Sequence, residues 1–386
     1  MYFIFAKLQQ RSESSVADGL ANSHTAWGGD HCQVHEGNCV EVRETIKVEV
    51  IIVYYLFIGR FRGMAQFELV KLEIGEKIDQ WVVEDKLGEG GFGSVYKVSR
   101  KKEIFALKTE NLNETVKVLK MEVYVLKMAE KKRSKHFCKC EDSGMYKSML
   151  YIVMTMVGPC LQDIRKELPG QKLSVGCALS VGIQCLEAIE ELHAIGFLHR
   201  DIKPSNYAIG REELQELRRI YILDFGMCRK YLDENNKFRP PRKVAGFRGT
   251  VRYAPLSCHI RRETCRKDDI ESWLYQQIEM TRGALPWRSM DDKRDDVAMY
   301  KERARYDVGL RELMGGCPRE YIEILRYIDS LRFYDKPDYN KIYKLLRRSM
   351  TSLHAKEFPY DWEVTPAEIL KSARALGKSN AKQTCQ

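Results

Sequence analysis

LGEGGFGSVYKVSRKKEIFALKTE, Leu87 to Glu110, is the stretch from which the rest of the chain can be read. Four glycines (Gly88, Gly90, Gly91 and Gly93) fall within six positions, and β-branched and aromatic residues follow at once. Glycine loses more conformational freedom on folding than any other residue, so a cluster of it needs a reason. One reason is a flexible turn. Another is a G-x-G-x-x-G loop that brings bare amides against phosphate, which two unrelated folds use. The dinucleotide type starts a helix within the glycines. Here Val95, Tyr96 and Val98 continue a strand, Ser99 to Lys102 make a polar turn, and a second apolar strand ends at Lys108. Two short strands joined by a charged turn predict an antiparallel hairpin.

Farther along, ETVKVLKMEVYVLKMAE (Glu114 to Glu130) places Val118, Leu119, Val123 and Leu126 at helical spacing and carries Glu122 with them. MLYIVMTMVGPC (Met149 to Cys160) reads as a buried strand broken by Gly158-Pro159, suited to a hinge. From Leu173 long amphipathic patterns dominate, among them VGCALSVGIQCLEAIEELHAIG, which Gly196 can close. The expected fold class is α+β: a small β-rich lobe with one helix over about 80–157, then a larger, mainly helical lobe over about 158–350.

The 386 residues leave room for one large domain or two modest ones, with 44% apolar and 31% charged residues as in globular proteins. The net charge of +10 suggests a basic face for an anionic partner. The densest basic run, KKRSK at 131–135, is too short for a nucleic-acid arm, so nucleic acid is not the expected partner. Twelve singly scattered cysteines predict reduced thiols in the cytosol or nucleus. HCQVHEGNC (31–39) and HFCKC (136–140) lack the paired C-x-x-C spacing of zinc sites and read as ordinary core or surface residues. VIIVYYLFIG (50–59) is about half the roughly 20 residues of a membrane span, so no membrane association is expected. Residues 1–63 are expected to lie outside the folded core, with Met64 a candidate native start; native peptides upstream of Met64 would overturn this. Residues 351–386 are expected to form a C-terminal extension, with one short helix at AEILKSARALG.

The charged residues fall in an order that carries chemistry. FLHRDIKPSNYAIG (Phe197 to Gly210) holds His199, Arg200, Asp201, Lys203 and Asn206; YILDFGMC follows with Asp224, Phe225 and Gly226. Singly, each reads as a cap or a solvated charge. With the glycine loop, Lys108 and Glu122 upstream, they resemble the protein-kinase set over about residues 80 to 350. That resemblance implies transfer of the ATP γ-phosphate to protein Ser/Thr, with ATP and Mg²⁺ as cofactors. The backbone from Leu87 through Gly88, Glu89, Gly90, Gly91, Phe92 and Gly93 would cover the phosphates. Lys108, steadied by Glu122, would hold the α- and β-phosphates; Asp224 and Asn206 would bind Mg²⁺ through hard oxygen ligands. Asp201 would act as catalytic base, Lys203 would neutralise the γ-phosphate, and Thr250 would bond back to the catalytic loop. Adenine would sit between Val95 and Ala106 above and Ala208 below, against Thr155–Met156–Val157, with Met154 as gatekeeper.

Leu256 stands where most protein kinases have the Glu of Ala-Pro-Glu. That absence, with GPCLQDI and CRKDDIESW, resembles the casein kinase 1 superfamily. RPPRKVAGFRGTVRYA, GALPWR, KPDYNKIY and YDWE resemble tau-tubulin kinases more closely, while Leu256–Cys258 and Trp273-Leu274 depart from both. Between Asp224 and Thr250 there is no Ser or Thr; Tyr231 is the one hydroxyl. Seven Lys or Arg there (Arg229, Lys230, Lys237, Arg239, Arg242, Lys243, Arg248) face Asp233 and Glu234. An enzyme active as folded is expected, acting on acidic or already phosphorylated protein substrates, with Arg252 matching a superfamily anion-binding residue. A monomer is expected. The rival readings are a kinase-shaped scaffold without catalysis, and a basic binder of microtubules or nucleic acid; loss of Lys108, Asp201, Asn206 or Asp224 would have favoured the scaffold.

Overall fold

The structure, a computed structural model, describes residues 71–90, 93–112, 117–290 and 293–363. The readings made for residues 1–63, Gly91, Phe92 and the 367–377 helix lie outside the described residues.

Ten strands and nine α-helices occur among the described residues. The hairpin deduced from the glycine-rich stretch lies at the heart of a six-stranded antiparallel sheet. Its strands are β1 (Lys77–Ile78), β2 (Trp81–Gly90), β3 (Gly93–Arg100), β4 (Glu103–Asn111), β5 (Cys140–Tyr146) and β6 (Met149–Thr155), in spatial order β1-β2-β3-β4-β6-β5. Two hairpins share β3: Gly90 faces Gly93 across the first, and Lys101 and Lys102 turn the second with φ of +49° and +72°. β4 runs on past the expected end at Lys108 because Thr109 to Asn111 keep pairing with Met149 to Tyr151.

Strand side chains alternate between faces with a period of two, and the register makes that alternation functional. Val95 pairs with Lys108 and Lys97 with Ala106, so Val95, Ala106 and Lys108 share one face. The other face puts Tyr96, Val98 and Leu107 against Trp81, Met149 and Val153 in a separate small core. A one-residue slip would exchange the two faces.

Under the sheet lies α1 (Leu119–Lys131), which starts later than the 114–130 reading; residues 113–116 lie outside the described ones. Its start is fixed by Glu110, whose carboxylate accepts from Leu119 N at 2.6 Å. Leu119, Val125, Leu126 and Ala129 bury its inner face, and Glu122 is buried among them. Val125 replaces the expected Val123 on that face.

The larger lobe is built on α3 (Val175–Ala194) and α5 (Arg266–Arg282), preceded by α2 (Leu161–Glu167) and α4 (Leu256–His259). Completing it are α6 (Arg294–Arg303), α7 (Asp307–Met314), α8 (Glu320–Ser330) and α9 (Tyr339–Ser352). Gly196, at φ +90°, closes α3 as expected. The unusual Trp273 is fully buried and donates from Nε1 to Gly182 O at 2.9 Å. A Cβ on Gly182 would meet Gln277 Oε1 at 2.3 Å, so this glycine is what lets α5 approach so closely. Short two-stranded ladders carry the loops: β7 (Phe197–Leu198) with β10 (Arg229–Lys230), and β8 (Tyr207–Ile209) with β9 (Ile220–Ile222).

The lobe runs past 350. Tyr360 is fully buried, its hydroxyl 2.7 Å from Ser180 Oγ and 2.9 Å from Gln184 Nε2, and Trp362 Nε1 donates to Leu217 O. Tyr360 is therefore packed on α3, with Trp362 held beside it against Leu217.

Candidate active site

A cleft of about 1080 Å³ lies between the sheet and the helical lobe. Leu87, Gly88, Glu89, Gly93, Val95 and Ala106 line its upper wall, and Thr155 to Val157 its back. Met154 lines it from β6, opposite Ala106 in the ladder. Gly88 has open space where a Cβ would be, as close approach of a ligand to the backbone requires. Gly93 is different: at φ +152° its Cβ would meet Thr109 O at 1.7 Å, so that glycine is demanded by β4.

Ala208, expected as the floor, is buried in the β8–β9 ladder and bridged to Cys160. The neighbouring Ile222 and Leu223 line the cleft.

At the deep end Lys108 Nζ lies 2.7 Å from Glu122 Oε2 and 3.0 Å from Asp224 Oδ1. Burial alone would lower the Lys108 pKa; the two carboxylates outweigh it and hold the ammonium well above its ordinary range. Burial raises the Glu122 pKa, which makes the Lys108 contact the condition for its charge. Asp224 stays below the ordinary carboxylate range, since Lys108 outweighs its burial. Asp224 itself adopts φ +64°, and this turn sends Phe225 inward, stacked on Phe137 at 5.2 Å and edge-on to His199 at 5.7 Å.

Below, Asp201 is held at both oxygens: Thr250 Oγ1 donates to Oδ1 at 2.8 Å and Lys203 Nζ to Oδ2 at 2.7 Å. Lys203 Nζ also reaches Thr250 Oγ1 at 3.1 Å. Asn206 Nδ2 donates to Asp201 O at 2.8 Å, which leaves the amide oxygen of Asn206 as an acceptor in the cleft. With the Asp224 carboxylate, that oxygen forms a donor set suited to a hard divalent cation.

Residues that the sequence reading did not single out hold this loop. Asp269 on α5 accepts from His199 N and Arg200 N, each at 2.8 Å, and takes His193 Nε2 at 2.8 Å. Fully buried Lys301 donates to Val251 O at 2.8 Å and Ala254 O at 2.6 Å, and Trp287 Nε1 donates to Arg252 O, all beneath the segment that carries Thr250. GALPWR signalled Trp287; nothing in the spacing signals Lys301. Glu271 on α5 accepts from Leu256 N at 3.0 Å and pairs with Arg305 at 2.7 Å, so an acid is supplied where residue 256 is Leu.

Two residues singled out in the basic segment already have partners within the lobe. Tyr231 is half-buried and donates its hydroxyl to His193 O at 2.6 Å, beneath the Arg266 guanidinium, so it does not present a free acceptor hydroxyl. Arg252, matched to an anion-binding residue, turns inward, with Nη1 3.4 Å from the buried Glu279. Arg229 and Arg242 both pair with Glu263. Besides Arg242, the exposed cations are Lys237, Arg239, Lys243 and Arg248, joined by Arg261 and Arg262 where Ala245 N donates to Arg261 O.

The bilobal arrangement, the cleft between its lobes and these two clusters of charge define a protein kinase. The protein kinase domain family model matches residues 81–321, and the chain belongs to that family. Curated relatives place it among the serine/threonine kinases. It is 38% identical over 325 residues to a putative serine/threonine-protein kinase of Caenorhabditis elegans, covering 81% of this chain and 91% of that one. It is 33% identical over 338 residues to the serine/threonine-protein kinase spe-6 of the same organism, covering 83% and 87%. A probable serine/threonine-protein kinase of Dictyostelium discoideum is 34% identical over 289 residues, 74% of this chain; the match spans 57% of that longer relative. Among the described residues, no helix is long and apolar enough to cross a membrane.

Proposed function

We propose that this chain transfers the ATP γ-phosphate to Ser or Thr of acidic or already phosphorylated proteins, without needing Ser/Thr phosphorylation in the segment between Asp224 and Thr250. The observation that carries this is the simultaneous presence of the Lys108–Glu122–Asp224 cluster and the Asp201–Lys203–Thr250 cluster on one cleft. Phosphoryl transfer asks the protein mainly for positioning and for neutralisation of oxygen charge. Lys108 supplies a fixed positive charge to the α- and β-phosphates, and Asp224 with Asn206 the oxygens for Mg²⁺. Bound Mg·ATP supplies the transferable phosphoryl group. Asp201 orients the substrate hydroxyl and accepts its proton, while Lys203 neutralises charge beside it and Thr250 fixes the carboxylate. Val95, Ala106 and Met154 contact the base.

Substrate preference follows from the exposed cations Lys243, Arg248, Arg261 and Arg262 beside the Thr250 segment. Arg252, 3.4 Å from Glu279, would join them as the matched anion-binding residue. On the resemblance of the motifs quoted above, we take the chain to be nearest the tau-tubulin kinase-like group of the casein kinase 1 superfamily. We take the catalytic domain to end at about residue 363 rather than 350, and the protein to act as a monomer in cytosol or nucleus.

The test compares wild type with Asp201→Asn in phosphate transfer from labelled Mg·ATP to acidic, primed and basic peptides. Loss in the variant and preference for the first two are expected. Equal incorporation by both proteins would remove Asp201 from the mechanism, and indifference to peptide charge would remove the substrate assignment.

A further inference from the structure

Glu263 lies in the loop between α4 and α5, buried although its neighbours Arg261 and Arg262 are exposed. Its carboxylate accepts from Arg229 Nε at 3.2 Å, from the Arg242 guanidinium through Nε and through Nη2 at 3.1 Å, and from Arg242 N at 3.4 Å. These arginines come from the start and the middle of the segment that follows Asp224. Arg229 opens β10 and pairs with Leu198 in β7, immediately before His199 and the catalytic loop. Arg200, in that loop, is already committed to backbone carbonyls, with Nε 2.7 Å from Met227 O and Nη2 3.5 Å from Cys228 O. Burial, together with the nearby Arg229 and Arg248, lowers its pKa, so cations are crowded here. An anion is what such a cluster needs, and among the described residues Glu263 is the acid that pairs with Arg229 and Arg242.

We propose that Glu263 is a positioning residue occupying the place of an activation-segment phosphate, clamping Arg229 and Arg242 so that β10 stays paired with the strand leading into the catalytic loop. The inference rests on the reading that the chain works without Ser/Thr phosphorylation in that segment. A carboxylate between two guanidinium groups makes the charge-assisted contacts that a phosphate makes with arginines. Removing it leaves the partly buried Arg229 without its counter-charge and frees the exposed Arg242 from its anchor.

The test uses the full chain and Glu263→Ala, Glu263→Gln and Glu263→Ala/Arg242→Ala. Displacement of a catalytic loop by about an ångström costs up to roughly a hundredfold, so Glu263→Ala should lose between about ten- and a hundredfold in kcat. KM for ATP should stay within about threefold, because the Lys108 cluster is untouched. Inorganic phosphate or sulfate at tens of millimolar should restore turnover in Glu263→Ala by filling the vacated space, whereas sodium chloride at equal ionic strength should not. Glu263→Gln, whose amide fills that space, and the double variant should not be rescued. Wild-type kcat in Glu263→Ala, or a loss in a protein of unchanged melting temperature that neither anion restores, would overturn the proposal. Should Glu263→Ala fail to fold, the exchanged pair Glu263→Arg/Arg242→Glu decides: recovered folding and turnover support the clamp, and failure overturns it. Phosphatase-treated wild type separates the two levels. If it is inactive, the reading of phosphorylation-independent activity falls; if it is active and Glu263→Ala is as well, only the clamp does.

Discussion

The two charged clusters that face each other across the cleft are built in different ways. Lys108, Glu122 and Asp224 come from three separated segments, with Lys108 and Asp224 116 positions apart, and they meet only when the sheet, α1 and the Asp224 turn are all in place. Asp201, Lys203 and Asn206 sit within six residues of one loop, and only Thr250 arrives from elsewhere. The upper cluster therefore reports the arrangement of the lobes. The lower one is held rigidly by buried groups of the helical lobe: Asp269 behind the loop, with Lys301 and Trp287 beneath Thr250. Conformational control should act through the upper cluster, and chemistry should depend most steeply on the lower.

The sharpest break is Asp201→Asn, which removes the proton acceptor and should lower kcat by about 10²–10⁴. Its melting temperature should fall only slightly, since the amide oxygen still accepts from Thr250 and Asn206 still donates to the backbone carbonyl of residue 201, while the Lys203 pair is lost; steady-state kinetics beside a thermal melt checks both. Lys108→Ala removes a preorganised charge from the upper cluster and should cost about 10²–10³ in kcat/KM. It should also free Glu122, whose buried carboxyl then takes up a proton, a change that infrared carboxyl bands would show.

The support under the lower cluster can be tested by pH. His259 packs against Lys301 Nζ at 3.2 Å, and its pKa is lowered by burial and by that lysine from 6.5 to about 4. Between those values the unfolded chain binds a proton that the folded chain does not, so this group makes stability fall as pH drops from 6.5 toward 4. By pH 4 the loss relative to His259→Gln should approach about 2–3 kcal/mol. Asp268, on the same helix pair, is raised to about 6 and acts in the opposite direction, which is why the measurement is a difference between two proteins in urea titrations. The smallest effect belongs to Tyr360→Phe, which deletes hydrogen bonds to Ser180 and Gln184 and should cost about 1 kcal/mol, leaving nucleotide affinity unchanged. A null result there would show that the hydrogen bonds of the Tyr360 hydroxyl do not contribute to the lobe's stability.

The lower cluster was legible in the sequence because its residues are contiguous, and the hairpin because strand alternation and a polar turn are local signals. The upper cluster was legible only by matching residue types in order, since periodicity gives no hint that Lys108 and Asp224 meet. What escaped is the support. Asp269, Lys301 and Glu263 look like members of solvated charge runs, and only packing reveals them as buried. YDWE was legible as a motif, but the anchoring of its Tyr360 was not, because nothing local shows that α3 receives it.

The central claim is competence as folded, with the chemistry in the lower cluster. It is tested most directly by phosphate transfer from Mg·ATP to an acidic peptide by phosphatase-treated wild type and Asp201→Asn side by side. Undiminished turnover by the treated wild type and its loss in the variant is the predicted result. A treated wild type as inactive as Asp201→Asn, or a variant as active as wild type, would contradict it.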